Sequence, residues 1–211
     1  MQKNKDNNSC LITGVVVASN KSADNVDMKR PVITIEILHT SKKSNDFMFE
    51  NDVFLEEVPV LLAGHILAKS IVGIALGDVL NIYGRICIDN HEGLYIEAST
   101  IQKIVPAPKG SIINSIAAGR SEMLQLSQIF NQCEVMGTIK KITEDMIILN
   151  VPRIFLVKGD LTNNDQISVI YSNHALKTGD KILVKGTIGI EEKILSIFAD
   201  NIYKIEEVGN I

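Results

Sequence analysis

The stretch GDKILVKGTIGI (179–190) decides the fold, because it repeats the pattern of GDVLNIYGRICI (77–88). Both stretches begin with Gly-Asp, a pair that favours a tight turn. Both then alternate apolar and polar residues with the period of two that is typical of a β-strand. Each also has a glycine at its eighth position, and a glycine inside a strand marks a sharp bend or a close backbone approach. The pattern predicts two bent strands whose inward side is formed by Leu80, Ile82, Gly84, Ile86 and Ile88 and by Ile182, Val184, Gly186, Ile188 and Ile190.

The similarity covers a whole hairpin in each half of the chain, 75–104 and 177–205, once a single-residue gap is allowed. Matches at turn positions and at inward positions together predict an internal repeat. The alignment equates Gly77 with Gly179, Asp78 with Asp180, Gly84 with Gly186, Ile96 with Ile197, Ala98 with Ala199 and Lys103 with Lys204.

Further strands are predicted upstream of each hairpin. They lie at 10–19, 31–40 and 57–64 in the first copy and at 133–142, 145–154 and 166–172 in the second. A short helical pattern follows at 65–75, and a single helical turn, NHALK, follows at 173–177. Five strands with a helix before the fourth is the plan of a small Greek-key barrel. The predicted fold class is therefore all-β, with two such five-stranded barrels in tandem.

The same pattern predicts the domain boundaries. The barrels are expected at 9–104 and 133–207, with a disordered N-terminus at 1–8 and a tail at 208–211. The connection 105–132 begins with two prolines and a glycine, which mark a boundary. Within it, Ser121 is the expected N-cap of a short amphipathic helix that includes Met123, Leu124, Leu126 and Ile129.

Composition restricts the function classes. The net charge is −4, which argues against a lysine-coated duplex-binding protein but leaves room for a local basic groove. No apolar run reaches the roughly 18 residues that a membrane span needs, and the N-terminal MQKNKDNNSC does not have the form of a secretory signal. The three cysteines lack metal-type spacing and are interpreted as reduced, buried thiols. These features predict a cytoplasmic protein without a membrane partner.

The stretch EEVPVLLAGHILAKSIVGIALGDVLNIYGRICI (56–88) resembles the core of the bacterial single-stranded DNA-binding proteins, and DQISVIYSNHALKTGDKILVKGTIGI (165–190) repeats the pattern. The matching features in the first copy are Gly64, Leu67, Ala68, Gly77, Asp78, Gly84 and Arg85. The resemblance implies two tandem oligonucleotide-binding (OB) folds. It also implies a homodimer that presents four barrels. The outward-facing Asn81, Tyr83, Leu183 and Lys185 are the candidate interface residues, because an exposed Leu183 would otherwise leave apolar surface uncovered.

The chain departs from that family at three features. The ring that begins the family's third strand falls near Glu57 in the first copy and Asp165 in the second. The ring that ends that strand falls near Ala63 in the first copy, whereas Tyr171 matches it in the second. The family's flexible tail with an acidic, apolar tip is also missing, since this chain ends in KIEEVGNI.

Binding of single strands requires rings that stack on bases and a basic track for the backbone. The loop HTSKKSNDFMFENDVF (39–54) combines both, so its residues are the first choice, although one or two of these rings could instead fill the barrel. Tyr83 beside Arg85 is the next choice, with a dimer contact as its alternative. The full set of candidates is Lys42, Lys43, Phe47, Phe49, Tyr83, Arg85, Lys140, Lys141, Arg153, Phe155, Tyr171 and Lys185; for those of the second copy, scattered solvated charges are the alternative.

Catalysis finds no support in the sequence. The four histidines are isolated from metal-ligand partners, and no glycine-rich phosphate loop with a lysine occurs. We therefore expect no enzyme activity, no metal and no cofactor. The predicted function is sequence-tolerant binding of single-stranded DNA in replication, recombination or mobile-element DNA processing; RNA binding cannot be separated from it by sequence. The alternative is an OB-fold adaptor for protein assembly, which the few aromatic residues and the acidic charge favour.

Overall fold

The structure, a computed structural model, describes residues 8–20, 32–40, 53–62, 73–89, 93–152, 164–171, 175–191 and 194–205. Most of these residues lie in ten β-strands, so the prediction of a mostly β protein is confirmed. One helix, α1 (Ile112–Leu124), joins the fifth strand to the sixth. The strands are β1 (Asn8–Asn20), β2 (Val32–Thr40), β3 (Val53–Leu62), β4 (Val79–Asp89), β5 (Gly93–Val105), β6 (Asn131–Ile142), β7 (Met146–Pro152), β8 (Asn164–Ile170), β9 (Lys181–Glu191) and β10 (Ile194–Lys204).

The chain separates into two compact units. The first unit consists of Cys10–Arg85 and Tyr95–Asn131. The second unit consists of Met1–Ser9, Ile86–Leu94 and Gln132–Ile211.

The strand pairings that centre on the first unit close into a circuit. β1 pairs antiparallel with both β2 and β4, and β2 pairs antiparallel with β3. β3 runs parallel to β5, which lies beside β4. Alternate side chains of these strands point into a common core, as expected from a period of two. Completely buried members of this core include Ile12, Ile35, Val60, Ile82 and Ile96.

The strands of the second unit follow the same plan. β6 pairs antiparallel with β7 and with β9, and β7 pairs antiparallel with β8. β10 runs parallel to β8 and antiparallel to β9, which closes the circuit. Its completely buried core includes Val135, Leu149, Ile167, Val184 and Ile182. The inward-facing pattern predicted for β4 and β9 is confirmed from Leu80 to Ile86 and from Ile182 to Ile188, whereas Ile88 and Ile190 are half-buried.

The turns that enter β4 and β9 have the same geometry in both units. Gly77 has a φ of 89° and Gly179 a φ of 93°, a region that favours glycine. The backbone N–H of Gly77 donates to the carbonyl of Val16 at 2.8 Å, and that of Gly179 donates to the carbonyl of Ile139 at 2.9 Å. Positions that the sequence alignment equates therefore make equivalent backbone contacts.

The strand glycines Gly84 and Gly186 also share one role. A Cβ atom on Gly84 would lie 2.4 Å from the carbonyl oxygen of Glu97, and one on Gly186 would lie 2.1 Å from that of Phe198. Both strands therefore approach a neighbouring backbone so closely that no side chain fits. The reason for a glycine at the eighth position of each repeat is this close approach.

Helix α1 starts earlier than the sequence predicts. Its N-cap is Ser111, which accepts a hydrogen bond from the backbone N–H of Asn114, and Ser121 lies in its last turns, so the expected cap at Ser121 is wrong. Met123, completely buried, packs against Val15 and Val79. The packing of its buried face on the strands of the first unit therefore determines where the helix lies.

The two short helices predicted before the fourth strands are not seen in the described residues. Residues 65–72 and 173–174 lie outside them, and neither 73–75 nor 175–177 forms an α-helix. Cys10, Cys87 and Cys133 are buried free thiols. No helix within the described ranges has the length and apolarity that crossing a membrane requires.

Candidate nucleic-acid interface

The outward face of β7 and β8 in the second unit carries no ionisable side chain. Asn150 lies opposite Gln166 across this strand pair, and Ile148 lies opposite Ser168. The residues between them, such as Leu149 and Ile167, are buried in the core. We name the outward set the second-unit face: Met146, Ile148, Asn150, Gln166, Ser168 and Ile170. Amide and apolar groups of this kind can contact bases without repelling phosphates.

Two lysines border this face. The pairing of β6 with β7 shifts register between Ile139 and Lys141, which marks a β-bulge, and Lys141 then lies opposite Ile148. Lys140 and Lys141 are both exposed, and bulges commonly redirect side chains beside functional sites. The exposed Glu144 and Asp145 in the next turn reduce the local positive charge. The structure therefore brings two of the predicted basic residues to one edge of the second-unit face.

Tyr171 follows directly after β8. Its backbone N–H donates to the carbonyl of Asp145 at 3.0 Å, which places it beside the turn between β6 and β7. Its ring is half-buried, and its hydroxyl has no hydrogen-bond partner among the described residues. Burial raises the pKa of the Tyr171 hydroxyl, so the group stays protonated at neutral pH. It is a neutral donor at the end of the same strand pair.

Lys185 does not join this cluster. It lies on β9, where it pairs with Glu134 of β6 at 3.0 Å. The hydrogen bond to Glu134 raises the pKa of Lys185. Glu134 and Lys140 are six positions apart on β6, a separation of roughly 20 Å along a strand. Lys185 is therefore a partnered charge, far from the bulge lysines.

Tyr83 and Arg85 belong to the first unit. Tyr83 lies opposite Leu11 on the outer side of β1 and β4, and half of its surface is exposed. Arg85 is only partly exposed. Phe54, which ends the candidate loop, is 44% exposed and lies opposite His39. The other predicted residues, Lys42, Lys43, Phe47, Phe49, Arg153 and Phe155, lie outside the described residues.

The first unit has a strand face that corresponds to the second-unit face. A Cβ on Gly14 would approach the carbonyl oxygen of Glu36, and a Cβ on Gly137 would approach that of Asn150, so the two strand pairs match in register. Glu36 lies opposite Glu57, where the second unit has Asn150 opposite Gln166. We name this outward set the first-unit face: Thr34, Glu36, Leu38, Leu55, Glu57 and Pro59. At these matching positions the first unit has two carboxylates where the second unit has two amides.

Helix α1 contacts the first-unit face through a bidentate ion pair. Nε of Arg120 donates to Oε2 of Glu36 at 2.6 Å, and a terminal nitrogen donates to Oε1 at 2.5 Å. This hydrogen bonding raises the pKa of Arg120, and Glu57 adds a smaller electrostatic contribution. Sequence reasoning missed the pair, since the two residues are far apart in the chain and neither belongs to a recognisable motif.

Sequence reasoning also missed the amide residues of the second-unit face. Asn150 and Gln166 have no charge and no ring, and charge and rings are the two properties that distinguish the candidates in the sequence. The available signal was the outward register of DMIILNVP and DQISVIYS, in which the positions between buried residues are uncharged. No group of three or more potential metal ligands occurs within the part of the chain that the structure describes.

The comparisons with known proteins support the fold. No protein-family model matches the chain, and no curated protein matches it. Among solved structures, a deletion mutant of the single-stranded DNA-binding protein from Thermus aquaticus is similar with a TM-score of 0.61 at 13% identity over 95% of each chain. The wild-type protein from the same organism is similar with a TM-score of 0.60 at 11% identity, over 97% of this chain and 95% of that one.

This chain has the fold of the bacterial single-stranded DNA-binding proteins. The resemblance stated from the sequence is thereby confirmed at the level of the fold. The two carboxylates that the sequence equates, Glu57 and Asp165, do not correspond in the structure, because the register makes Gln166 the counterpart of Glu57. The two carboxylates also differ in their surroundings. Glu57 is exposed, whereas Asp165 is buried and accepts a hydrogen bond from the backbone N–H of Ile88 at 2.9 Å. Only Glu57 presents its charge to an approaching phosphate.

Proposed function

We propose that this protein binds single-stranded DNA without strong sequence preference. The observation that carries the proposal is the uncharged second-unit face with Lys140 and Lys141 at its edge. Single strands bind to surfaces that offer contacts for bases beside a positive track for the backbone. In five-stranded Greek-key barrels, the face of the second and third strands is a common site for oligonucleotides. β7 and β8 are the second and third strands of their circuit.

We further propose that each closed circuit of strands is one OB barrel. The corresponding domains are 9–104 and 133–207, with 105–132 as the connection that contains α1. The equivalent turns at Gly77 and Gly179 support this division. The short helix expected before each fourth strand remains part of the proposal at 65–75 and 173–177.

The proposed activity is binding alone, in the cytoplasm. Coating of exposed strands would serve replication, recombination or mobile-element DNA processing. Nothing in the proposed binding mode requires the absence of a 2′-hydroxyl, so RNA is a competing ligand that an experiment must separate.

We propose a homodimer that presents four barrels. In the second unit, Leu183 of β9 lies between Met136 of β6 and Tyr203 of β10. Tyr203 is 51% exposed. A row of three apolar or aromatic side chains across neighbouring strands is a surface suited to a second copy of the chain. The first unit presents Tyr83 beside Leu11 in the same way.

One observation favours the adaptor function as the second candidate. Helix α1 exposes Ile112, Ile113 and Leu124, whose exposed fractions are 62%, 79% and 58%. Large exposed apolar side chains on one helix are typical of surfaces that bind other proteins. An adaptor would use such a helix and would need no nucleic acid.

A titration of fluorescent oligo-dT, followed by anisotropy at two salt concentrations, tests the proposal. We expect oligo-dT to bind more tightly than duplex DNA of equal length, and we expect the affinity to fall as salt rises because counterions are released. Competition with oligo-U distinguishes DNA from RNA preference. Absence of any binding to oligo-dT at low salt would reject the function and leave the adaptor.

A further inference from the structure

We infer that helix α1 closes the first-unit face, so that each chain binds a single strand through the second-unit face alone. This inference rests on the proposed function and specifies which of the two strand faces carries it. It predicts one short-oligonucleotide site per chain, although the chain contains two similar strand circuits.

The helix lies directly against the strands that it covers. A Cβ on Gly119 would lie 2.3 Å from the carbonyl oxygen of Gly77 and 2.9 Å from Cγ1 of Val15. Contact this close leaves no space for a ligand between helix and strand. Val15 lies opposite Glu36 in the pairing of β1 with β2, so the helix passes over the edge of the first-unit face.

Side chains on both sides of this contact hold the helix in place. Arg120 binds both carboxylate oxygens of Glu36, and Glu36 is 7% exposed although it lies on the outward side of β2. Leu38, the next outward residue of β2, packs against the cluster of Val15, Val79 and Met123. Two of the three residues that β2 contributes to the first-unit face therefore contact α1 or the cluster into which it packs.

The chain that follows α1 extends this cover. The side-chain amide of Asn131 donates to the carbonyl of Leu38 at 2.9 Å. The backbone N–H of Thr13 in β1 donates to the carbonyl of Phe130 at 2.6 Å, and the backbone N–H of Phe130 donates to the hydroxyl of Thr13 at 2.9 Å. Strand β1, which borders the first-unit face, is thus bound at Thr13 by the chain that follows α1.

The charges of the two faces favour DNA binding at the second-unit face, as the coverage by α1 does. The part of the first-unit face that α1 leaves open includes Glu57, an exposed carboxylate. Its counterpart in the second unit is Gln166, which is exposed and neutral. A carboxylate repels a phosphate, and juxtaposed like charges cost binding free energy. Among the described residues of the second unit no helix packs on the second-unit face, although Ser168 at its centre is buried.

The first test uses the whole chain and a short oligo-dT of about 8 nucleotides, which is within the site size of one barrel. Stoichiometric titration should give one oligonucleotide per chain. Amide hydrogen exchange with and without oligo-dT should show new protection in 146–152 and 164–171 and no change in 32–40 and 53–62. Two oligonucleotides per chain, or protection on β2 and β3, would overturn the inference and leave the proposed function standing.

The second test exchanges charge between the two faces. The double variant Asn150→Glu with Gln166→Glu recreates on the second-unit face the acidic pair of the first, and we expect its affinity for oligo-dT to fall by more than about tenfold. The matched control Glu57→Gln removes the exposed carboxylate of the first-unit face and should leave the affinity unchanged. All three substituted side chains are outward, and circular dichroism checks that the variants fold.

The outcomes separate the two proposals. Wild-type binding that survives in the Asn150→Glu, Gln166→Glu variant would overturn the inference, as would a clear gain of affinity in Glu57→Gln. A wild-type protein that does not bind oligo-dT at all would overturn both the inference and the proposed function.

Discussion

The Nζ atom of Lys103 lies 2.6 Å from Oδ2 of Asp78, and the two residues are equated by the sequence repeat with Lys204 and Asp180, which lie 2.8 Å apart. Each aspartate also accepts a backbone hydrogen bond from the residue three positions before it, Ala75 in one unit and Lys177 in the other. Each aspartate thus joins the turn before a fourth strand to the end of the fifth. An ion pair that recurs at aligned positions identifies this connection as a structural requirement of the turn.

Replacement of Asp180 by asparagine should change the pH dependence of stability. The hydrogen bond from Lys204 is the main reason why the pKa of Asp180 is lowered, and the backbone N–H of Lys177 adds to it. A carboxyl whose folded pKa is below its unfolded value stabilises the fold above the unfolded pKa of about 4, and this contribution is lost as pH falls through the folded pKa. Asp180→Asn should therefore lose stability at pH 7 and show a flatter decline below about pH 4.

Urea titrations at pH 7 and at about pH 3 measure this effect. Glu191→Gln is the matched control, because Glu191 is an exposed carboxylate on the same strand circuit. The control should follow the wild-type pH dependence. An unchanged pH dependence in Asp180→Asn would show that the ion pair does not persist in solution.

Alanine at Gly77 should destabilise the protein more than alanine at Gly179. Both glycines have positive φ, so each substitution incurs a backbone cost of about 1–2 kcal/mol. A Cβ at Gly77 would also lie 2.3 Å from the carbonyl oxygen of Ser115 in α1, whereas one at Gly179 would meet nothing within 4 Å. The overlap should add about 1–3 kcal/mol at Gly77.

The difference between the two alanine variants is read from urea unfolding, and amide exchange reports on the helix. Gly77→Ala should accelerate exchange within 112–124, and Gly179→Ala should not. Equal destabilisation by the two substitutions would mean that the contact between α1 and the turn contributes little.

Much of the fold could be predicted because strand signals are local. The alternation in GDKILVKGTIGI, its leading Gly-Asp and its internal glycine identify a bent strand without any knowledge of its neighbours. The start of α1 could not be predicted in this way. Ser111 and Ser121 are both plausible caps, and the choice depends on which helix face, through Gly119 and Met123, packs on β1 and β4.

The site was less predictable than the fold because charge alone does not locate a surface. Lys185 and Lys140 look alike in sequence, but strand pairing places Glu134 beside Lys185 and a β-bulge beside Lys140. Cross-strand neighbours follow from register, which is set by the whole circuit. The amides of Asn150 and Gln166 can be recognised as candidate site residues only when they are compared with the glutamates at the matching positions of the first unit.

Removal of Lys140 and Lys141, the two lysines at the β-bulge of β6, should lower both the affinity for DNA and the salt dependence of that affinity. Lys140→Ala with Lys141→Ala removes two exposed positive charges beside the second-unit face. Each phosphate contact on a single strand contributes about 0.7 to the slope of log affinity against log salt, so the slope should fall by up to about 1.4. Anisotropy titrations at several salt concentrations measure it. Lys109→Ala, an exposed lysine of the connection, is the control and should retain the wild-type slope.

The loop between the second and third strands of the first copy supplies a separate prediction from sequence. If a base stacks on Phe47 or Phe49, alanine there should cost about 1–3 kcal/mol of binding free energy. If this loop binds DNA, Lys42→Ala with Lys43→Ala should weaken binding to all sequences and reduce the salt slope; if the second-unit face alone binds, both should stay at the wild-type value. A phenylalanine variant with a lower melting temperature and intact binding would instead place that ring in the core. The loop lysines and Lys140 with Lys141 can be compared in one titration series, which ranks the two surfaces.

The apolar row of the second unit should determine assembly. A chain of 23.2 kDa is expected to form a dimer in light scattering at micromolar concentration. Tyr203, half exposed beside Leu183, would be desolvated in such an interface, and Tyr203→Asp would place a charge there. Because an unpaired charge in an apolar interface is costly, the variant should shift the protein to monomer while the melting temperature of the chain changes little.

Ile194→Asp is the matched control, because Ile194 is exposed at the other end of the same strand, outside the row. A wild-type protein that remains monomeric at micromolar concentration would reject the dimer, and a dimer that persists in Tyr203→Asp would place the interface on another surface.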